Sequence, residues 1–194
     1  MSTPYCSKNQ AFSDAAHAAA ERTVYPEIFP KCVIKYASQT VGGGGEGRVN
    51  DGEKAIDYIL HVKSEEFYIE QSLVFTVQER WRRPKTAKGF DVLNAPDITI
   101  TASNPTGERS EWEKMQCQWM LYGFYCEDTQ QILQAYWADV SAIRFKAVTG
   151  EVGYQFAVPG QNGRSLQRFY SVPRSLPEVL PITPLAAPAR NTLG

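Results

Sequence analysis

Ser72-Leu73-Val74-Phe75-Thr76-Val77-Gln78-Glu79-Arg80-Trp81 is the stretch on which the reading of this chain turns. Its β-branched and aromatic run predicts a strand, and that strand ends in polar and charged residues. Side chains alternate along a strand, so Val77, Glu79 and Trp81 share one face while Gln78 and Arg80 share the other. Upstream, Ala55-Ile56-Asp57-Tyr58-Ile59-Leu60-His61-Val62 is equally β-rich and also holds a carboxylate, Asp57. Lys63-Ser64-Glu65 suits a tight connection, and Glu66-Phe67-Tyr68-Ile69-Glu70 a short strand or turn, so the region reads as a meander. An ionised carboxylate within a strand is unfavourable unless it is paired, hydrogen-bonded or bound to metal. Carboxylates on consecutive strands of a hairpin can converge on one ion, and oxygen ligands suit magnesium. The competing reading has Asp57 cap a strand and Glu79 pair with a nearby arginine.

Outward from this pair, Ser13 caps an alanine-rich helix through Arg22, which Pro26 and Pro30 end. Residues Val33 to Ala37 suit a short strand, and Gly42-Gly43-Gly44-Gly45 marks a surface loop without the Lys and Ser/Thr of a phosphate-binding loop. A basic loop from Arg82 to Lys88 leads to a strand at Asp97 to Thr101. Ser110 and Glu113 form a capping-box signature, and the helix they start is expected to run through Met115, Trp119 and Met120. Extended chain follows at Tyr122 to Cys126, then a strand from Ile132 to Val140 and a helix from Ser141 to Gly150. Five prolines between Pro173 and Pro188 predict an extended tail. The expected organisation is an N-terminal tail over 1–12, one domain over 13–172 and a Pro-rich tail over 173–194. The fold class is α/β, a mixed central sheet flanked by helices.

Lys and Arg number 20 against 21 Asp and Glu, a formal net charge of -1. That balance excludes a histone-like polyanion binder, so contact with nucleic acid must come from a local patch. A charged fraction of 21% with 12% aromatics argues against a disordered chain. No apolar run approaches the roughly 18 residues of a membrane span, and the first residues lack an apolar signal core, so the expected location is cytoplasmic. Cys6, Cys32, Cys117 and Cys126 lack metal-site spacing and read as free thiols. His17 stands four residues before Glu21 on one helix face, read as a solvent-exposed pair, and His61 shares a strand face with Asp57 and Ile59.

A helix, a hairpin with Asp57 in one strand, an acidic-x-basic element in the next, then helix and strand: this order resembles the PD-(D/E)XK, or restriction-endonuclease-like, nuclease superfamily. The matching stretches are Ala55 to Ile59, Thr76 to Arg80 and Glu113 to Phe124. The resemblance covers roughly residues 13 to 150. It implies a restriction-endonuclease-like core and a Mg (or Mn) dependent nuclease acting on nucleic acid, DNA first, with room for a homodimer. Asp57 then matches the family's first metal ligand, and Glu21 the additional glutamate some members carry on the first helix. Two registers stay open for the second motif. Either Glu79 is the second ligand, or Gln78 and Arg80 occupy the acidic and lysine positions, both substituted. Arg80 stabilises phosphate charge but is too basic to act as a base, and Lys114 is the candidate for the missing ammonium, with a solvated helix lysine as the alternative. Arg82, Arg83, Lys85 and Lys88 are expected to meet backbone phosphates, with Trp81 stacking on a base or packing in the core. Arg164 and Arg168, with Gln161, Asn162 and Gln167, extend that surface. The rival function is a non-catalytic structural or interaction protein, viral among the options, that keeps the fold without the reaction.

Overall fold

The computed structural model describes residues 7–38, 54–64, 72–85, 91–103, 109–151, 154–159 and 166–185. The Gly42–Gly45 loop, the Glu66–Glu70 segment, Lys88, Gln161, Asn162 and Arg164 lie outside the described residues.

Helix α1 spans Ser7–Thr23 and α2 Tyr25–Ile28. Strands β1 (Cys32–Ser38), β2 (Tyr58–Ser64) and β3 (Leu73–Arg82) form an antiparallel meander. After β4 (Asp97–Ser103) and the short helix α3 (Glu111–Lys114), strand β5 (Trp119–Cys126) runs parallel to β3. Strand β6 (Gln131–Asp139), helix α4 (Val140–Val148), β7 (Tyr154–Pro159), β8 (Leu166–Pro173) and β9 (Val179–Ile182) complete the order. One sheet has the order β1-β2-β3-β5-β6-β9, with β3 and β5 its single parallel pair; the other is the antiparallel β4-β8-β7. The fold is therefore mixed α/β with mostly antiparallel sheets.

The large sheet has two differently covered faces. Face A carries Leu60, Val62, Val77, Leu121, Tyr125, Ala135 and Trp137 against α1 and α2. Helix α1 meets them with Phe12, Ala16, Ala19 and Ala20, all buried, at the three- and four-residue spacing of one helical stripe. Small residues there let the helix lie close to a sheet rich in large rings. Face B carries Met120, Tyr122, Phe124 and Ala138 against Ile98 and Ile100 of β4, Val172 of β8 and Val140 and Ile143 of α4. No helix among the described residues is long and apolar enough to cross a membrane.

Several boundaries depart from the sequence reading. Helix α1 starts at Ser7 rather than Ser13, so part of the expected N-terminal tail is helical. The helix opened by Ser110 stops at Lys114, and Trp119 and Met120 already lie in β5. There the chain must extend, because Gln118 N donates to Thr76 O and brings the segment into register beside β3. The expected tail after 173 contains β9, which pairs Val179 to Ile182 with β6. Its Pro181 is tolerated because an edge strand leaves one row of groups unpaired. Strands β7 and β8 were not anticipated.

Candidate functional site

Glu79 and Asp57 meet through the Glu79 backbone. Asp57 sits just before β2, with its N–H donating to Val77 O at 2.9 Å. Its Oδ2 accepts from the Glu79 backbone N–H at 2.8 Å and from Gln78 Nε2 at 2.9 Å. Alternation then sends Gln78 and Arg80 to face B and Glu79 to face A. This corrects the expectation that Asp57 and Glu79 converge as ligands of one metal.

On face A the Glu79 side chain is only 3% exposed. Its Oε1 accepts from Tyr25 Oη at 2.5 Å and contacts His17 Nδ1 at 2.9 Å, while Oε2 accepts from Trp81 Nε1 at 2.8 Å. The other His17 nitrogen, Nε2, lies 3.1 Å from Glu21 Oε1. The imidazole also stacks on the Tyr58 ring, centroids 3.8 Å apart and planes nearly parallel. His17 and Glu21 are thus not the expected exposed pair, and Glu21 lies with Glu79, not with Asp57. Burial alone would push the His17 pKa down, but the hydrogen bond to Glu79 and the charges of Glu79 and Glu21 outweigh it and raise it. Burial first, then Glu79, drive the Tyr25 and Tyr58 hydroxyls well up, so both remain protonated donors. A buried carboxylate with three partners anchors α1 and α2 to the sheet; it has no access to a substrate.

Face B holds the open site. A pocket of about 310 Å³ is lined by Ala55, Gln78, Arg80, Thr101, Arg109, Glu111 and Lys114. The cap of α3 builds one wall. Ser110 Oγ accepts from Glu113 N at 3.2 Å and Glu113 Oε2 accepts from Ser110 N at 2.6 Å, a complete capping box. These hydrogen bonds lower the Glu113 pKa. The cap fixes Glu111, which accepts from Arg80 Nη1 and from the Thr101 N–H. Trp112 stacks on Tyr170 at 4.4 Å, and Arg144 donates to Trp112 O and Met115 O, so both ends of α3 are held.

The pocket is cationic. Arg80, Arg109 and Lys114 face a single lining carboxylate, Glu111. Arg82, two residues along β3, donates to Thr99 Oγ1, and its pKa is lowered first by the charge of Arg80 and then by burial. Two guanidiniums side by side on one strand face remain charged and favour an anion between or beside them. Gln78 Oε1 and Arg80 Nε are buried without a hydrogen-bond partner among the described residues. Cys117, behind Gln78, is pushed up to about 12 by burial and then by Asp57, although a backbone hydrogen bond from Gln78 opposes this. It is an inert thiol. Cys32 and Cys126 are also unpaired.

Among the described residues of the expected phosphate-contacting patch, Trp81 and Arg83 are engaged within the chain. Trp81 packs on face A and is held by Glu79. Arg83 donates to Glu127 from Nε at 2.6 Å and from Nη2 at 3.2 Å, with its guanidinium 4.1 Å from the Phe12 ring centre. Lys85 is exposed and pairs by backbone with Asp91. Sequence reasoning missed Arg109, Glu111 and Thr101 as pocket residues; the Ser110 capping box, which aims α3, was the available signal. Among the described residues no group of three or more His, Cys, Asp or Glu side chains is placed to hold a metal ion. The chain matches no protein-family model, no curated protein and no solved structure.

Proposed function

We propose that the face-B pocket is a phosphodiester site and that the chain is a Mg- or Mn-dependent nuclease acting on nucleic acid, with Gln78 and Arg80 in the acidic and lysine positions. One observation carries this: Gln78, whose Nε2 donates to Asp57 and whose Oε1 is buried without a partner among the described residues, lines a pocket together with Arg80, Arg109 and Lys114. Amide carbonyl and carboxylate oxygens are both magnesium ligands, and such an ion keeps several waters and takes few protein ligands. A three-residue acidic cluster is therefore not required. An amide oxygen and a carboxylate are oxygen donors of the kind magnesium takes, and Asp57 and Gln78 would be the residues that hold it. When bound, the ion would polarise the phosphate and acidify a coordinated water. Arg80 and Lys114 take the phosphate oxygens, Arg109 adds charge at the rim, and Glu111 fixes Arg80 in place. The element order supports a restriction-endonuclease-like core: α1, the β1-β2-β3 meander with Asp57 at the head of β2, and β5 parallel to β3. The departure is the crossover, whose described residues carry β4 and a four-residue helix.

The test is cleavage of supercoiled plasmid and of single-stranded DNA with Mg²⁺ or Mn²⁺. Asp57→Ala and Gln78→Ala are each expected to slow cutting at least about 100-fold. Undiminished cutting by both variants would sink the assignment. A second reading, a non-catalytic nucleic-acid-binding protein, is favoured by the Arg80–Glu111 ion pair and by the separation of Asp57 from Glu79. It gives binding without cleavage under every metal tried.

A further inference from the structure

We propose that the uncovered half of face B, on β1 and β2, is a docking platform for the backbone of duplex nucleic acid leading into the pocket. This rests on the phosphodiester reading of the pocket. The second sheet and α4 cover β5 and β6, and among the described residues their apolar packing reaches across as far as Ile59. Beyond it Lys35, His61 and Lys63 are exposed, and Val33 and Val74 are each 50% exposed. Register sets these side chains in one patch: Lys35 lies across from His61, His61 across from Val74, and Val33 across from Lys63. Alternation puts all of them on the face of Asp57, Gln78 and Arg80.

Charge selects the partner. Along β1, β2 and β3 and the residue that leads into β2, Asp57 is the single carboxylate among the described residues of this face, against Lys35, Lys63, Arg80 and Arg82. Among the described residues neither Lys35 nor Lys63 forms an ion pair. A face that, among the described residues, carries cations and no acid beyond Asp57 attracts an extended anion. Shape narrows it further. Among the described residues the patch carries no Phe, Tyr or Trp, and single strands are held chiefly by stacking on such rings. A flat basic surface without rings suits the phosphate rows of a duplex. The reach also fits. Antiparallel strands rise about 3.4 Å per residue, so Lys63 lies roughly 20 Å along β2 from Asp57. At about 3.4 Å of axis per nucleotide on each strand, that spans about six nucleotides.

The experiment is fluorescence anisotropy of a short labelled duplex in EDTA, which stops cleavage, titrated between about 50 and 200 mM salt. The variants are Lys35→Ala/Lys63→Ala, and Arg22→Ala as a control on exposed α1 over the opposite face. The double variant should bind about tenfold or more weakly, with the log–log salt slope reduced by roughly two. Arg22→Ala should match the wild type. Both lysines are exposed, so an unchanged urea midpoint shows the variant is folded. An unchanged slope in the double variant overturns the platform, as does equal affinity for polyglutamate or a preference for single strands. Plasmid cutting, measured in parallel, keeps the two proposals apart. Cutting lost through Asp57→Ala, with binding indifferent to the lysines, leaves the pocket reading standing and removes the platform.

Discussion

The Glu79 backbone N–H donates to the Asp57 carboxylate at 2.8 Å, while the Glu79 carboxylate turns to the opposite face of the sheet and takes three partners there. One residue thus serves two layers. Its main chain holds the Asp57 carboxylate, and its side chain locks α1 and α2. The two roles are separable by substitution, because backbone groups survive a side-chain change.

Glu79→Ala is expected to destabilise the chain by about 3 kcal/mol, since it strands buried partners in Tyr25, Trp81 and His17. Urea unfolding at neutral pH measures this. Under conditions where the variant is folded, its metal-dependent cutting should stay near that of the wild type. A loss of cutting matching that of Asp57→Ala would place Glu79 in the chemistry after all.

The His17 contact carries a pH signature. Its pKa is raised above the ordinary value of 6.5 in the folded chain, so the folded state holds the proton more tightly than the unfolded state. The stability this contributes is complete below the unfolded pKa and is lost as pH rises through the folded one. Glu79, Glu21, Tyr25, Tyr36 and Tyr58 surround the ring, and burial keeps these three tyrosines neutral through the range. The stability gap between wild type and His17→Gln should be widest below pH 6.5 and narrow above it. A gap that widens with rising pH contradicts the assignment.

Much of this was legible in the sequence through alternation alone. Gln78 and Arg80 fall together on one face, the face that also carries Asp57 and His61, because period 2 is a local property of β3 and β2. The partners of Glu79 were not legible. His17 and Tyr25 come from 62 and 54 residues away, and no local pattern announces them. The length of α3 was misread for another reason. Met115, Cys117 and Trp119 alternate with Gln116 and Gln118, a strand-like period too short to outweigh the helix start at Ser110, and pairing with β3 decides the matter. Proline suggested a loose end at 173–194, yet an edge strand accommodates Pro181.

Gln78→Glu places a second carboxylate beside Asp57 and removes the Nε2 donor. Without metal it should cost about 1–2 kcal/mol of stability. Manganese should restore more stability to this variant than to the wild type, as a ligand of the folded state does. Thermal melts in EDTA and in a Mn²⁺ series measure both. No difference in metal response between the two proteins would argue against an ion at this position.

Gly123 lies across from Trp81 in the parallel pair. A Cβ there would stand 2.4 Å from Trp81 Cζ3 and 2.9 Å from the Gln134 carbonyl oxygen. Gly123→Ala should therefore cost about 2 kcal/mol, read as a lower urea midpoint, and should loosen the Trp81–Glu79 hydrogen bond. A midpoint equal to the wild type would mean the indole can move aside freely.

Strand β9 closes the sheet beside β6, and just after it Leu185 N donates to Thr23 O of the first helix at 2.8 Å. During synthesis, then, the large sheet cannot be completed until residue 182 has cleared the ribosome, nor this tie to the first helix until 185 has. Before that moment β6 presents an open edge, the kind of surface that pairs with other chains. Contacts this distant in sequence also slow folding. The nascent chain should consequently lean on chaperones until β9 arrives, and truncation just before residue 179 should aggregate rather than fold.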